Sequence, residues 1–345
     1  MKIVNLMKNL LRAELAVPKA IKNNTKYSPD KLYIFGKRNK NKTFYVIKND
    51  FNPNGLFSNL TFVLDHINYA VKKRIIPIID MENFLTVYNE KNKIFGTNNA
   101  WNYYFMPINK YKLNDVYASK NVIFSKNSRL SNKLVNENAS LKKILKKYVK
   151  IKPQILKLFK KTKALHFKNN KSIMGVHVRG TLQRIVRRHS MPPHPKDFLK
   201  ECIKIFKKTK SEKLFLITED DLYLKEFKSY FKKKLIYLNV PRSNPKPYEL
   251  HNFHFENYTR ENHKFKFGLE TLIDCLLLAE TQYCFYTDSN VWRISSLLSA
   301  KKQKKYQLVT KLNSNNKFIA RWKWYFHYYL PFLFGKIKYT IKKIK

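Results

Sequence analysis

The sequence predicts an α/β protein of two domains, its C-terminal half a parallel sheet with helices on both faces. Three observations carry that expectation. The chain has 345 residues, 44% of them hydrophobic, which suits two domains with buried cores. From Ser172 onward, short β-branched or aromatic runs alternate with helix-spaced apolar patterns, an order that calls for parallel strands and crossover helices. Polar clusters fall repeatedly just after those strands, where sheets of this kind hold their ligands.

In the first part, residues 44–48, 75–80 and 121–125 read as strands, and 60–71 reads as a helix between the first two. Residues 139–150 place Leu141, Ile144, Leu145 and Tyr148 on one helical face with lysines between them, the pattern of a solvated amphipathic helix joining two domains. The domains are therefore expected at 1–150 and 151–310, with a basic aromatic tail at 311–345. In the second part the expected order is strand 172–178, helix 196–208, strand 213–217 and helix 222–231. Strand 235–238, helix 267–280, strand 283–286 and helix 291–298 follow.

Lys and Arg number 70 against 23 Asp and Glu, a formal net charge of +47. Such a surface attracts phosphates, whether in nucleic acid, nucleotide-sugars or anionic lipid. An AT-rich coding genome would also enrich Lys, Asn, Ile, Tyr and Phe, so charge alone does not choose among them. The apolar segment 269–286 is broken by Glu270, Asp274 and Glu280, and no stretch reaches the roughly 18–20 apolar residues of a membrane span. Lys8, Arg12 and Glu14 interrupt what would have to be the apolar part of a secretion signal. A cytoplasmic location, peripheral to the inner face of the membrane, is expected. Cys202, Cys275 and Cys284 are widely spaced with no C-x-x-C pair, as suits buried reduced thiols.

The chemistry is expected at three strand ends. His177-Val178-Arg179-Gly180-Thr181 leaves a strand with a guanidinium, a hydroxyl and a glycine at its mouth. A planar guanidinium pairs bidentately with phosphate oxygens and keeps its charge; the other reading of Arg179 is a surface ion pair. Thr218-Glu219-Asp220-Asp221 follows the next strand, and Thr287-Asp288-Ser289-Asn290 follows the last and opens a helix. Backbone N–H groups at that helix start suit a phosphate, and an ordinary cap by Asp288 or Ser289 is the alternative.

These motifs resemble the GDP-fucose-dependent fucosyltransferases, specifically the α1,6-type enzymes and their bacterial polysaccharide-type relatives, with a more distant likeness to protein O-fucosyltransferases. Residues 175–181 with His194-Pro195 are similar to that family's first signature, 215–221 to its second, and Leu272-Ile273-Asp274 with Ser289-Asn290-Val291-Trp292-Arg293 to its third. Gly55-Leu56-Phe57-Ser58-Asn59 resembles its N-terminal glycine loop. The likeness spans about residues 44–300, in order.

What the resemblance implies is a GT-B fold, two Rossmann-like domains facing a cleft, and inverting transfer of fucose or a similar sugar from a GDP-sugar to a surface glycan or lipid-linked glycan. Arg179 would hold the β-phosphate, with Thr181 and the Ser289–Val291 backbone beside it, Asn290 included. His177 and Asp274 would contact guanine, a carboxylate being able to accept from N1–H and the exocyclic amine; for Asp274 the other reading is a polar residue satisfied within its helix. Asp220 and Asp221 would support the site by bonding Arg179, or act only as helix N-terminal charge. Gly55 and Asn59 would reach the donor from the other domain. No D-x-D motif is present, Asp80-Met81-Glu82 being the nearest approach and expected as a strand end, so metal-independent catalysis without a cofactor is expected.

One departure matters. The family's acid after the threonine is here Leu182, and 182–196 holds no Asp or Glu but Arg184, Arg187, Arg188, His189 and His194. His189 is the candidate base because its pKa suits proton transfer near neutrality, and the arginines are expected to meet an anionic acceptor. His251, His254 and His263 lack a convincing third ligand for zinc. After Asp288 no acidic residue occurs, while 14 Lys and Arg remain. The tail 321–345 interleaves them with aromatics, as suits contact with an anionic membrane or a helix packing across the N-terminal domain. The rival readings are a transferase for another nucleotide-sugar and a non-catalytic basic nucleic-acid-binding protein, for which no recognised nucleic-acid motif is present.

Overall fold

The computed structural model describes residues 27–49, 54–131, 139–170, 172–243, 260–300 and 303–344. Within them the chain divides into two compact units, one drawn from 27–160 with 260–273, the other from 161–243 with 274–344.

The N-terminal unit holds strands β1 (Leu32–Tyr33) and β2 (Arg38–Ile47), helix α1 (Leu56–Lys72), β3 (Ile76–Ile79), the short helices α2 (Trp101–Tyr104) and α3 (Leu113–Val116), and β4 (Ser119–Phe124). Helix α4 (Ala139–Tyr148) follows, and α5 (Pro153–Phe167) begins in this unit. The sheet order is β1-β4-β2-β3, with β2 parallel to β3 and β4 and β1 antiparallel to β4. The first half of β2 is polar and largely exposed, while Phe44, Tyr45, Val46 and Ile47 are fully buried. That switch from lysine and asparagine to aromatic and β-branched residues is what places the core. Phe44, Val46, Ile78, Phe84, Val116, Val122 and Phe124 form it. At the sheet edge, β3 points the carbonyls of Pro77 and Ile79 outward, and Asn109 Nδ2 (2.6 Å) and Asn99 Nδ2 (2.8 Å) satisfy them. Proline and two side-chain amides thus blunt an edge that would otherwise pair with another strand. Asp80, fully buried, accepts from the Glu82 and Asn83 amides and from Tyr117 OH, which makes it a turn-former at a strand end as expected.

The C-terminal unit holds β5 (Ile173–His177), α6 (Pro195–Thr209), β6 (Lys213–Ile217), α7 (Asp221–Phe231), β7 (Leu235–Ile236), the latter part of α8 (His263–Ala279), β8 (Tyr283–Tyr286) and α9 (Asn290–Leu298). Past these come β9 (Lys304–Thr310), α10 (Lys317–Tyr329), α11 (Pro331–Phe334) and β10 (Tyr339–Ile344). The strand order is β10-β9-β8-β5-β6-β7, a doubly wound sheet in which the chain runs outward from β5 on one side and from β8 on the other. All neighbours are parallel except β10, which pairs antiparallel with β9.

The alternating elements lie where the sequence placed them. The segment past Thr310, expected as a separate tail, is instead part of this unit: β10 extends its sheet, and Trp324 of α10 is fully buried with Nε1 donating to Pro192 O (2.9 Å). Strand β9 and the edge strand β10 escaped the sequence reading because each buries at most one face. β9 alternates lysine and glutamine with buried Tyr306, Leu308 and Thr310, and β10 is mostly exposed. Gly175, central in β5, is required by close packing. A Cβ there would meet Thr281 Oγ1 at 2.7 Å and Leu278 Cδ1 closer still. Cys202, Cys275 and Cys284 are buried free thiols, and burial raises the pKa of each.

Candidate functional site

The polar clusters gather at the carboxyl ends of β5, β6 and β8. This is the switch point of the C-terminal sheet, where strand connections diverge and leave a crevice. Thr287 N donates to His177 O (3.0 Å), Val178 N to Ile217 O (3.1 Å) and Arg179 N to Thr287 Oγ1 (3.4 Å), so the three strand ends are tied to one another.

The turn after β5 is held from beneath. Thr181 takes a positive φ of 31° and opens a 3-10 turn over Thr181–Arg184. Asp220 presses against Gly180 so closely that a Cβ would lie 2.7 Å from its Cγ. One Asp220 oxygen accepts from Thr181 N (3.2 Å) and pairs with Arg184, and the other accepts from Leu222 N (3.0 Å), capping α7. Arg184 and Asp220 are both fully buried. The guanidinium lies 4.1 Å over the ring of Trp324, and Asn313 Nδ2 donates to Arg184 O (3.1 Å). Burial raises the pKa of Asp220, opposed by Arg184 and by the two amides. Arg184 is pulled down by burial but raised overall by Asp220, and stays protonated.

Above that turn sits Arg179, its side chain 34% exposed, with Nε 3.6 Å from Glu219 Oε1. The same Glu219 oxygen accepts from Thr181 Oγ1 (2.6 Å). Ser289 caps α9: its Oγ accepts from Trp292 N (3.4 Å) and bonds His177 Nδ1 (3.2 Å). His177 is 3% exposed, and burial, then the Arg179 charge, push its pKa down to about 3. The imidazole is therefore neutral. The backbone N–H groups of Asn290 and Val291 make no hydrogen bond among the described residues, leaving two helix-start donors open at this mouth. Asp288 is occupied by Arg293 (2.5 Å). His189 lies on the surface; loss of part of its hydration and the Arg179 charge lower its pKa, with Asp288 opposing.

Several expectations change at this level of detail. Asp220 bonds Arg184 and not Arg179, because it points down into the core while its neighbour Glu219 points up. Glu219 is thus the acid the sequence reading passed over. Alternation past the strand end is the signal that could have found it, since Thr218 and Asp220 are buried while Glu219 between them is partly exposed. Asp221 starts α7, its N–H donating to Ser243 O (3.0 Å). Arg184 is sealed in the core and unavailable to an anionic acceptor, whereas Arg187 and Arg188 are exposed, Arg188 Nε donating to Asn315 Oδ1 (2.6 Å). His194 caps α6 and stacks on Tyr328 (4.8 Å). The Thr181 hydroxyl is engaged by Glu219, and the Asn290 side chain by Arg293 (3.0 Å). The His177 ring orders Ser289. Asp274 is partly buried on α8, beside Cys275, whose Sγ lies 3.5 Å from Val291 O.

In the N-terminal unit, Gly55 caps α1, Leu56 N donates to Tyr88 OH (2.6 Å), and Asn59 is buried with Nδ2 on Asn54 O (3.3 Å) and with no hydrogen-bond partner for Oδ1 among the described residues. His251 and His254 lie outside the described residues. His263 starts α8, with Nδ1 3.2 Å from Arg260. Among the described residues no group of three or more His, Cys, Asp or Glu side chains comes together as a metal site would need.

No protein-family model and no curated protein matches the chain. Solved structures do match. The crystal structure of NodZ α-1,6-fucosyltransferase soaked with GDP-fucose aligns with a TM-score of 0.52 at 16% identity, covering 88% of this chain and 100% of its own. A structure of fucosyltransferase NodZ from Bradyrhizobium aligns with a TM-score of 0.50 at 16% identity, covering 77% and 95%. The likeness is one of fold. It bears out the GT-B class and the resemblance to fucosyltransferases at that level, over nearly the whole chain.

The buried pair is open to a direct test by urea unfolding. Arg184→Met leaves the Asp220 carboxylate buried without its cation and is expected to cost about 3–5 kcal/mol. Asp220→Leu is expected to cost a similar amount, and the double variant distinctly less than the two added together, because no charge is then left alone. Additive losses would contradict the pairing.

Proposed function

We propose that the protein is an inverting glycosyltransferase that moves fucose, or a similar sugar, from a GDP-sugar to a glycan or lipid-linked glycan of the cell surface. The observation that carries this reading is the pairing of Arg179 with two open amides, those of Asn290 and Val291, at the switch point of a doubly wound sheet. A nucleoside diphosphate needs this combination of a fixed cation and helix-start donors. The fold is shared with NodZ, one of whose crystals was soaked with GDP-fucose.

In this reading the acceptor hydroxyl attacks the anomeric carbon, the bond from that carbon to the β-phosphate oxygen breaks, and GDP leaves as an anion. Arg179 and the α9 amides meet the charge that develops on the leaving group. Glu219 holds the guanidinium in place without burying it. Asp274 receives the guanine edge. His189, neutral near pH 7 because its pKa is lowered, accepts the proton of the attacking hydroxyl. No step is assigned to a metal.

Calorimetric titration tests the donor site. GDP is expected to bind in preference to UDP, CMP and a single-stranded oligonucleotide. Arg179→Ala is expected to weaken GDP about 10- to 100-fold, the worth of a charge-assisted contact of about 1.5–3 kcal/mol, and Asp274→Asn to erode the preference for guanine. Oligonucleotide binding indifferent to both substitutions, with no nucleotide preference, would point instead to a nucleic-acid-binding protein.

The base is tested by pH. The His189 pKa lies below its ordinary 6.5, so the proton-accepting form persists into mild acid. Accordingly kcat/KM is expected to hold near pH 6.5 and fall as pH drops through the lowered value, with His189→Gln removing that limb and the whole profile unchanged in EDTA. A wild-type profile that His189→Gln leaves intact would assign the base elsewhere.

A further inference from the structure

The C-terminal helices have an apolar inner side and an apolar outer side. Ala320, Trp324 and Tyr325 of α10 are buried within their own unit. On the opposite side Phe318, Ile319, Phe326 and Tyr329 are exposed, and Phe332 and Leu333 of α11 are 79% and 67% exposed. Phe326 stacks on Phe334 (4.8 Å) and on Trp322 (6.1 Å), which links the outer side of α10 to α11, and Phe332 and Leu333 are the chain neighbours of Phe334. Gly335, at φ 72°, turns the chain directly after Phe334, with Lys336 and Lys338 exposed beyond it. A contiguous apolar patch of this kind marks an interaction surface.

Charge says what covers it. From Ser289 to the C-terminus there is no acidic residue and there are 14 Lys and Arg, in a chain of formal charge +47. A second copy of the protein would bring a like-charged face to this patch and be repelled. A surface that is negative at its rim and apolar beneath complements both of its properties, and an anionic bilayer is such a surface. Among the described residues no helix is long and apolar enough to cross a membrane, which fits attachment at the interface.

We propose that α10 and α11 dock the protein onto an anionic membrane, with Phe332 and Leu333 entering the headgroup region and Lys336 and Lys338 meeting lipid phosphates. Trp322, half-buried and stacked on Phe326, adjoins the patch. The inner side of α10, anchored by Trp324, holds the wedge rigidly on the C-terminal unit. The proposal stands on the surface of that unit alone and does not depend on the reaction assigned above.

Co-sedimentation of the full chain with lipid vesicles tests it, using phosphatidylcholine alone and phosphatidylcholine mixed with phosphatidylglycerol. Wild type is expected to partition at least about ten-fold better onto the anionic vesicles, and brominated lipid to quench its tryptophan fluorescence. Phe332→Ser with Leu333→Ser is expected to lower that partition about ten-fold or more while circular dichroism and GDP binding stay as in wild type. Lys336→Gln with Lys338→Gln is expected to lower it by a smaller factor that vanishes at high salt. Three results would overturn the proposal: equal binding to both vesicle types, anionic binding untouched by the serine pair, or sedimentation equilibrium showing a self-associated protein that the serine pair makes monomeric.

Discussion

The buried ion pair between Arg184 and Asp220 organises the C-terminal unit. Two opposite charges, both fully excluded from solvent, persist in a low-dielectric interior only if each is well matched, since burial of either alone is heavily penalised. Asp220 meets that condition by accepting from Thr181 N, Leu222 N and Arg184, and Arg184 meets it in part, by pairing through Nη2 with Asp220 and lying over the Trp324 ring. The consequence reaches three elements at once. The turn after β5 is fixed from below, α7 receives its cap, and the C-terminal helix α10 is tied to the same point. Glycine at position 180 is the steric condition for this, because the Asp220 carboxylate occupies the space a side chain would need.

With the turn fixed from below, its upper surface is free to carry charge. Arg179 is partly exposed and steadied by Glu219, and two residues earlier, at the buried end of β5, the neutral His177 orders Ser289. The strand ends at His177, which is buried at that end, and Arg179 lies in the turn beyond the sheet, where it stays accessible. Burial and the neighbouring guanidinium both oppose a proton on His177, so Arg179 carries the positive charge at the mouth while the histidine supplies only geometry.

Much of the C-terminal fold was legible because strands β5, β6 and β8 are short runs of apolar and aromatic residues closed by polar clusters, and those clusters mark the carboxyl ends. Arg179 was legible for the same reason. The partner of Asp220 was not, because a run of Glu219, Asp220 and Asp221 offers three carboxylates and sequence gives no direction for each. Arg184 was misassigned to a cationic surface because arginine is seldom fully buried, and only the distant Trp324 and Asp220 make its burial tolerable. β9 and β10 carry lysines at alternate or consecutive positions and read as charge before they read as strands. The tail shows the same effect, since its aromatics divide between an inner side that packs on the Arg184 turn and an outer side that faces solvent, a division visible only once the helix has a partner.

Under the proposed function a nucleoside diphosphate occupies the switch point of the C-terminal sheet. Hydrogen–deuterium exchange of the backbone, read peptide by peptide with and without saturating GDP, tests it most directly, because the Asn290 and Val291 amides have no partner within the described structure and exchange readily unless a ligand takes them. Slowed exchange on GDP addition is expected in peptides spanning 179–184 and 289–293. Protection confined to other parts of the chain, with these two segments unchanged, would contradict it.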